Sequence, residues 1–448
     1  MKKSVFFLTL IFLVTIIFGH SFLNAQEIEG RGYEFLKKAV AQISEENIAG
    51  TIKSLQAFKT RNLLSEQKSD TFGIGAARRW LIKEFQKIPG LEVVDDGYFL
   101  PAQGQRMVRD TELHNVVAVK KGKAAKERII IVNAHYDTIA VSRDGRFHYD
   151  DVNTEAPGAN DDASGVAALL EMARIIAPRE TEATIHFIAF SGEEQGLVGS
   201  TLYARKMKEQ GRKVEAVLAM DMIGNIKAGN GYIDSTRVRV FSDDPSDSPS
   251  RELARYVRKV AEQVVPSFEV SLIFRADRFG RGGDHTPFVQ EGFAGIRFTE
   301  ARENYSIQHT PQDTIENLSV SYVMDITRVV LASVLSLACA PETPAVTGQR
   351  GAPLLGRGRG YDAELRWNWE GDREKIAGFK VYVRDTKSPF WERYYFAGKG
   401  DSFLLENVSI DDLTFGLSVL GMNGLESPVS TYRMPPRRRV EYNFRELK

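Results

Sequence analysis

The sequence predicts a mixed α/β domain, with a largely parallel central sheet flanked by helices, followed by a small all-β sandwich. Three observations carry that prediction. Between residues 110 and 340, short apolar runs rich in β-branched residues alternate with helical segments, the pattern of strands buried on both faces. The composition breaks near residue 341. Beyond the break, apolar and polar residues alternate with period two, as in strands with one buried face.

Composition narrows the chemistry. The 448 residues are 43% hydrophobic and 26% charged, which excludes a fibrous or mostly disordered protein. Lys+Arg and Asp+Glu are both 59, so no net basic field exists to hold nucleic acid or an acidic membrane surface. One cysteine excludes an internal disulfide, thiolate-rich zinc sites and iron–sulfur clusters. With seven histidines in the chain, any metal site must be built from His and carboxylates.

The elements follow in order. Residues 1–25 have the layout of a signal peptide: Lys2 and Lys3, an apolar run Val5–Phe18, then Asn24, Ala25 and Gln26, with cleavage expected after Ala25. That implies export, to the periplasm or beyond. The run is shorter than the about 20 residues a membrane span needs, so no span is expected after cleavage. Residues 31–95 read as mainly helical and are expected on the flank of the sheet. Ile129–Val132, Ile185–Phe190, Val217–Met220 and Ile296–Phe298 read as buried strands. Asp162–Ala177 reads as a helix stopped by Pro178, and Arg251–Val265 as one stopped by Pro266. Cys339 lies in the apolar helical stretch Val329–Ala340, where a buried, inert thiol is expected. Residues 27–340 thus form one domain, and 341–360, rich in Pro, Gly and Arg, a linker or first strand region. Within 361–436, Ala363, Leu365, Trp367 and Trp369 alternate with Glu364, Arg366 and Asn368. Phe379, Val381 and Val383 alternate with Lys380, Tyr382 and Arg384, and Phe415, Leu417 and Val419 repeat the pattern. These strands resemble a fibronectin type III domain. Residues 437–448, with Arg437–Arg439, read as a solvated tail.

Ligands of such sheets bind beyond the carboxyl ends of the strands. His135 and Asp137 follow the first buried run, Glu193 and Glu194 the second, and Asp221 the third. His309 and Asp313 follow the fourth and its loop, and Asp161 sits at the head of the helix near Asp162. Singly, each has an ordinary structural reading: Asp161 or Asp162 as a helix cap, Glu193 and Glu194 as an exposed pair, His135 as a strand-end residue, Asp221 as a turn residue. Jointly, His and carboxylates on one rim point to a hydrolytic metal site. His114 and His186 fall in predicted strands and His148 in a polar loop, so these receive structural roles.

Five segments carry a family resemblance. They are Ala134–Thr138, Pro157–Gly165, Ser191–Leu197, Met220–Met222 and His309–Thr314, in that order. Together they resemble metallopeptidase family 28, the di-zinc aminopeptidases related to glutamate carboxypeptidase, across roughly residues 110–340. The resemblance implies the zinc exopeptidase fold and two zinc ions bridged by Asp161. His135 and Asp221 would complete one site, Glu194 and His309 the other. Glu193 would be the general base for a water activated between the two ions, and Asp137 would hydrogen-bond the His135 ring. Asp313 would do the same for His309, and the Asp161–Asp162 peptide would be cis. The substrates implied are peptides with a free N-terminus.

The residue types suit that chemistry. Two zinc ions about 3.5–4 Å apart can share one water and one carboxylate, and a carboxylate bridge offsets part of their charge. The family's oxyanion-stabilising Tyr has no counterpart in Phe279–His285, where Arg281 or His285 is the candidate substitute. The loop Ile139–Ala156 is expected to line the substrate pocket. The alternatives are a carboxypeptidase or dipeptidase, a glutaminyl cyclase of the same fold, or a catalytically inactive binding protein. The sequence leaves the oligomeric state open.

Overall fold

The computed structural model describes residues 25–142, 144–242, 248–275, 282–348, 350–357 and 360–433. Residues 1–24 of the signal segment, Arg281 and the tail 437–448 lie outside the described residues. The chain divides into two compact units, one of Gln26–Pro341 with Met422–Pro428, the other built on Glu342–Gly421 and the segment from Val429.

The larger unit is organised by an eight-stranded sheet. Its strands are β1 (Glu92–Leu100), β2 (Thr111–Lys120), β3 (Ala125–His135), β4 (Ala183–Phe190), β5 (Lys213–Met220), β6 (Arg237–Phe241), β7 (Glu269–Ile273) and β8 (Gly295–Glu300). Their order is β1-β2-β4-β3-β5-β8-β6-β7. The middle four, β4, β3, β5 and β8, run parallel. These are the four buried runs read from the sequence, and every residue of β4 and β8 is buried. The β2–β4 and β6–β8 pairings are antiparallel, so the parallel centre is flanked on both sides by reversed strands. Register aligns the strand ends: His135 stands opposite Phe190, and Met220 opposite Phe298. The segments that leave β3, β4, β5 and β8 therefore emerge side by side.

Helices cover the sheet. The first is α1, residues 25–40, followed by α2 (Glu45–Gln56) and α3 (Gly73–Gln86), so the region read as helical is so until β1 begins at Glu92. Next come α4 (Ala163–Ile176), α5 (Val198–Glu209), α6 (Pro249–Val264), the short α7 (Thr286–Gln290) and α8 (Val320–Cys339). Of these, α4 positions the site. It is apolar and rich in small residues, and all of it but Arg174 is buried. That places its N-terminus deep inside the unit rather than at the surface. Although α8 is long and apolar enough to cross a membrane, it is mostly buried in the core, which explains its composition. Cys339 is a buried free thiol near its end, and burial pushes its pKa up to about 12.

Among its described residues the smaller unit has seven antiparallel strands: β9 (Leu355–Gly356), β10 (Ala363–Arg366), β11 (Ile376–Asp385), β12 (Arg393–Gly398), β13 (Ser402–Leu405), β14 (Leu413–Gly421) and β15 (Ser430–Thr431). They form two sheets, β13-β10-β9 and β12-β11-β14-β15. Leu365 and Trp367 from one sheet share a core with Phe379, Val381, Phe415 and Leu417 from the other. Two strands depart from the expected alternation, and on β14 Gly416, Ser418 and Leu420 are buried beside Phe415, Leu417 and Val419. On β11, Lys380, Tyr382 and Arg384 are buried as well as their apolar neighbours. Aromatic rings cover that second face: the Lys380 ammonium lies 4.5 Å from the Tyr394 ring centroid and the Arg384 guanidinium 5.2 Å from that of Trp391. Long cationic side chains can bury their stems this way while their charge faces a π-system.

Candidate metal centre

The two adjacent aspartates at the head of α4 divide the roles that the sequence left open between them. Asp162 caps the helix by accepting from the Gly165 amide at 3.0 Å. It also accepts from the amides of His135 (3.2 Å) and Met222 (3.1 Å), tying the end of β3 to the segment after β5. Gly165 is required here, because a Cβ would fall 2.6 Å from the Asp162 carboxylate. The Asp161–Asp162 peptide is cis, and Asp161 faces the other way, toward the strand ends.

Around Asp161 the expected donors converge. His135 Nε2 lies 3.2 Å from Asp161 Oδ1 and 3.8 Å from Asp221 Oδ1. His309 Nε2 lies 2.9 Å from Asp161 Oδ2 and 3.2 Å from Glu194 Oε1. Two groups of potential ligand atoms result, His135–Asp161–Asp221 and Asp161–Glu194–His309, each within a 4.8 Å span and joined by Asp161. His135 Nε2 and Glu194 Oε1 are buried without a hydrogen bond among the described residues. Buried polar atoms are nearly always satisfied, so this pair fits atoms held for a cation. Imidazole and carboxylate donors in groups of three suit zinc.

Glu193 belongs to neither group and lines the cavity beside them. Burial, with the negative charges of Asp221, Glu194 and Asp284, holds its carboxyl well above the usual range. Asp161 behaves oppositely. Burial works to raise its pKa, but contacts with His135 and His309 outweigh that and hold it well below the usual range.

Two supporting aspartates differ from expectation. The nearest Asp137 carboxylate oxygen stands 3.7 Å from His135 Nδ1, and the ring nitrogen instead faces the Asp137 carbonyl at 3.2 Å. The carboxylate is taken by the amides of Glu193 (3.2 Å) and Glu194 (3.1 Å), so it anchors the loop after β4. Asp313 accepts from the amides of Asn160 (2.8 Å) and Asp161 (3.0 Å), and so orients Asp161 rather than His309. In both cases backbone donors, fixed and desolvated, capture the carboxylate before a side chain can.

Sequence reading missed several residues that hold this centre. Arg297, inside β8, places a guanidinium nitrogen 3.0 Å from Asp221 Oδ2 and donates to the Gly282 carbonyl at 3.0 Å. A lone arginine within an apolar run was its available signal. Arg61 is fully buried and donates to the carbonyls of Leu55, Tyr136, Pro157 and Gly158, clamping the chain after β3 to the turn before Asp161. Burial lowers its pKa to about 10. Asp284, buried with its carboxyl pushed up to about 7 by burial, is a further acid near His135, Asp137 and Asp221. His285 is buried at the start of α7 and is not among the cavity's lining residues.

The donors open into a cavity of about 360 Å³. Ile139, Phe147 and Tyr149 from the loop after β3 form part of its wall, together with Arg106, Leu197 and Gln308. Phe147 packs edge-on against His309, with ring centroids 5.3 Å apart. His148 stays outside, paired with Asp144 at 2.8 Å, and His186 is buried in β4. A larger groove, about 740 Å³, lies between α2, α3 and α4 and is lined by none of the metal donors.

Comparison with known proteins places this arrangement. Residues 115–334 match the sequence profile of Peptidase family M28. A probable zinc metalloprotease of Leptosphaeria maculans is 34% identical over 434 residues, covering 90% of this chain and 97% of its own. The LapA aminopeptidase of Legionella pneumophila superposes with a TM-score of 0.53 at 24% identity, over 69% of this chain and 76% of its own. A glutaminyl cyclase of Fimbriiglobus ruber superposes with a TM-score of 0.51 at 19% identity, over 66% and 95%.

Proposed function

The chain belongs to peptidase family M28, and from that premise we propose that it is an exported di-zinc aminopeptidase that removes N-terminal residues from peptides. The observation that carries the proposal is the pair of donor groups joined through Asp161. His135 and Asp221 would complete one zinc site, and Glu194 and His309 the other. The zinc metalloprotease name of its relative and the aminopeptidase among its structural neighbours support the same reading.

When bound, the zinc ions would supply Lewis acidity and lower the pKa of a shared water from 15.7 toward about 7. The chain's own groups do the rest. Glu193, beside the donors and outside both groups, takes a proton from the attacking water and delivers it to the leaving amine, a role worth about 10²–10⁴ in rate. Asp137 fixes the loop that carries both Glu193 and Glu194. Arg297 occupies one oxygen of Asp221 and leaves the other toward His135. The small cavity suits removal of terminal residues better than cleavage inside a long chain.

Metal analysis combined with a panel of aminoacyl amides and their N-acetylated controls tests this. About two zinc per chain and cleavage of the unblocked amides alone are expected. Equal cleavage of the blocked controls would refute an aminopeptidase. One zinc with cyclisation of N-terminal glutamine would make it a cyclase, and neither zinc nor hydrolysis would leave a binding protein. Export rests on the composition of residues 1–25; N-terminal sequencing of the exported protein should begin at Gln26. For the smaller unit, the sheets β13-β10-β9 and β12-β11-β14-β15 around one core support a fibronectin type III-like domain.

A further inference from the structure

The cavity wall carries a cation that the proposed mechanism does not use. Arg106 stands in the loop between β1 and β2, exposed to solvent and lining the same cavity as Glu193, Glu194 and His309. The loop is held in place. Met107 is buried in the main core, and its carbonyl accepts from the Gln103 amide at 2.7 Å. Asp110 accepts from the Ala102 amide at 2.8 Å, and Arg109 donates to the Leu64 carbonyl.

The Arg106 guanidinium lies 5.4 Å from the centroid of the Tyr149 ring, on the opposite wall segment. Gly196, at φ +109° in the turn after Glu194, leaves it room: a Cβ there would fall 3.0 Å from Arg106 Nη1. Stacking on an aromatic face orients the planar fork while its N–H edges stay available. Among the described residues, Arg106 makes no ion pair with any carboxylate. The acids that line the same cavity, Asp161, Glu193, Glu194 and Asp221, are the base and the metal donors.

We propose that Arg106 binds a carboxylate of the substrate, so that the enzyme favours peptides carrying a carboxylate close to the scissile bond. This rests on the peptidase reading above and adds the substrate class to it. Two sources present that chemistry: an acidic side chain on the first residue, and the free C-terminus of a very short peptide. A planar guanidinium matches either in the same bidentate way.

The zinc-loaded protein is assayed for kcat/KM on two isosteric pairs. Glutamyl against glutaminyl p-nitroanilide isolates the side-chain carboxylate. Leucyl-glycine against leucyl-glycinamide isolates the C-terminal one. For an exposed charge pair, about a fivefold preference for the carboxylate is expected in one of the pairs, shrinking at high salt. In Arg106→Gln the ratio should fall to about one, and in Arg106→Glu it should invert, with zinc content as the check on an intact site. The pair that discriminates identifies the source. Ratios near one in both pairs for the wild type, or a wild-type ratio unchanged in both variants, overturn the proposal while leaving the peptidase reading intact. Failure to cleave any of the four substrates, with zinc bound, overturns both.

Discussion

Acidification should weaken the larger unit through one histidine that takes no part in the chemistry. His186 sits in the middle of β4, 6% exposed, with Nδ1 2.9 Å from the Tyr203 hydroxyl. Burial, aided by the positive charge of Arg212, lowers its pKa from 6.5 to about 4. The folded state therefore binds no proton at His186 between pH 6.5 and 4, whereas the unfolded chain does. Stability rises with pH wherever the unfolded state binds more protons, so this contribution is fully present above pH 6.5 and is lost as pH falls toward 4. At about 1.4 kcal/mol per pKa unit, the whole shift amounts to about 3 kcal/mol, of which about 2 kcal/mol develops between pH 7 and pH 4.5.

The perturbation is His186→Gln, which keeps an amide for Tyr203 and removes the titration. Urea unfolding of both proteins, followed by far-ultraviolet circular dichroism at pH 7 and pH 4.5, gives the comparison. Acid shifts common to both proteins, including those at the metal donors, cancel in the difference of differences. The wild type should lose about 2 kcal/mol more than the variant over that interval. Parallel losses, within about 0.5 kcal/mol, would mean that His186 is solvated or charged in the folded state and would refute the reasoning.

Further outcomes are expected around the centre. Glu193→Gln should retain its zinc, measured by metal analysis, and lose about 10²–10⁴ in kcat; turnover retained with the zinc lost would contradict the assignment. Asp137→Ala removes the acceptor of two loop amides, and zinc affinity, read by chelator competition, should fall about 10- to 100-fold. Arg61→Met strips the carbonyls of Tyr136 and Pro157 of the side-chain donor that holds them, at about 1–3 kcal/mol each, which should appear as a lower urea midpoint. Ending the chain at Pro341 removes Met422–Pro428, which folds with the larger unit: Glu426 pairs with Lys259 at 2.6 Å and its carbonyl accepts from Tyr256 at 3.0 Å. A lower midpoint for the truncated chain is expected, and an unchanged one would make that segment dispensable.

What the sequence disclosed depended on the range of the physical signal. β3, β4, β5 and β8 are buried on both faces toward their carboxyl ends, so each wrote itself into the chain as a mainly apolar run, interrupted by His186 in β4 and Arg297 in β8. β6 escaped because Arg237 and Arg239 alternate with Val238 and Val240 over only five residues, too few to separate from a loop. The donors were legible because His135, Glu194, Asp221 and His309 come after legible strands and Asp161 heads a legible helix. Their supports were not, because each is a long-range contact: Arg61 reaches carbonyls 75 to 97 positions away, and Asp313 reaches amides 152 and 153 positions away. No local pattern records such a meeting. Lys380 and Arg384 failed differently, since period two marks them as outward but cannot say that rings lie over the outer face.

Charge joins the centre to the cavity mouth. Asp137, Asp161, Glu193, Glu194, Asp221 and Asp284 converge beyond the strand ends, against His135, His309 and the guanidiniums of Arg297 and Arg61. So many buried carboxylates cannot all ionise together: burial first, and then neighbouring negative charge, raises the pKa values of Glu193 and Asp284. Two divalent ions would relieve it at the donors and leave Glu193 the acid whose protonation can still change during turnover. Arg106 is the arginine lining the cavity among the described residues. A chain with no net charge would then select its substrate by the placement of one guanidinium rather than by a surface field.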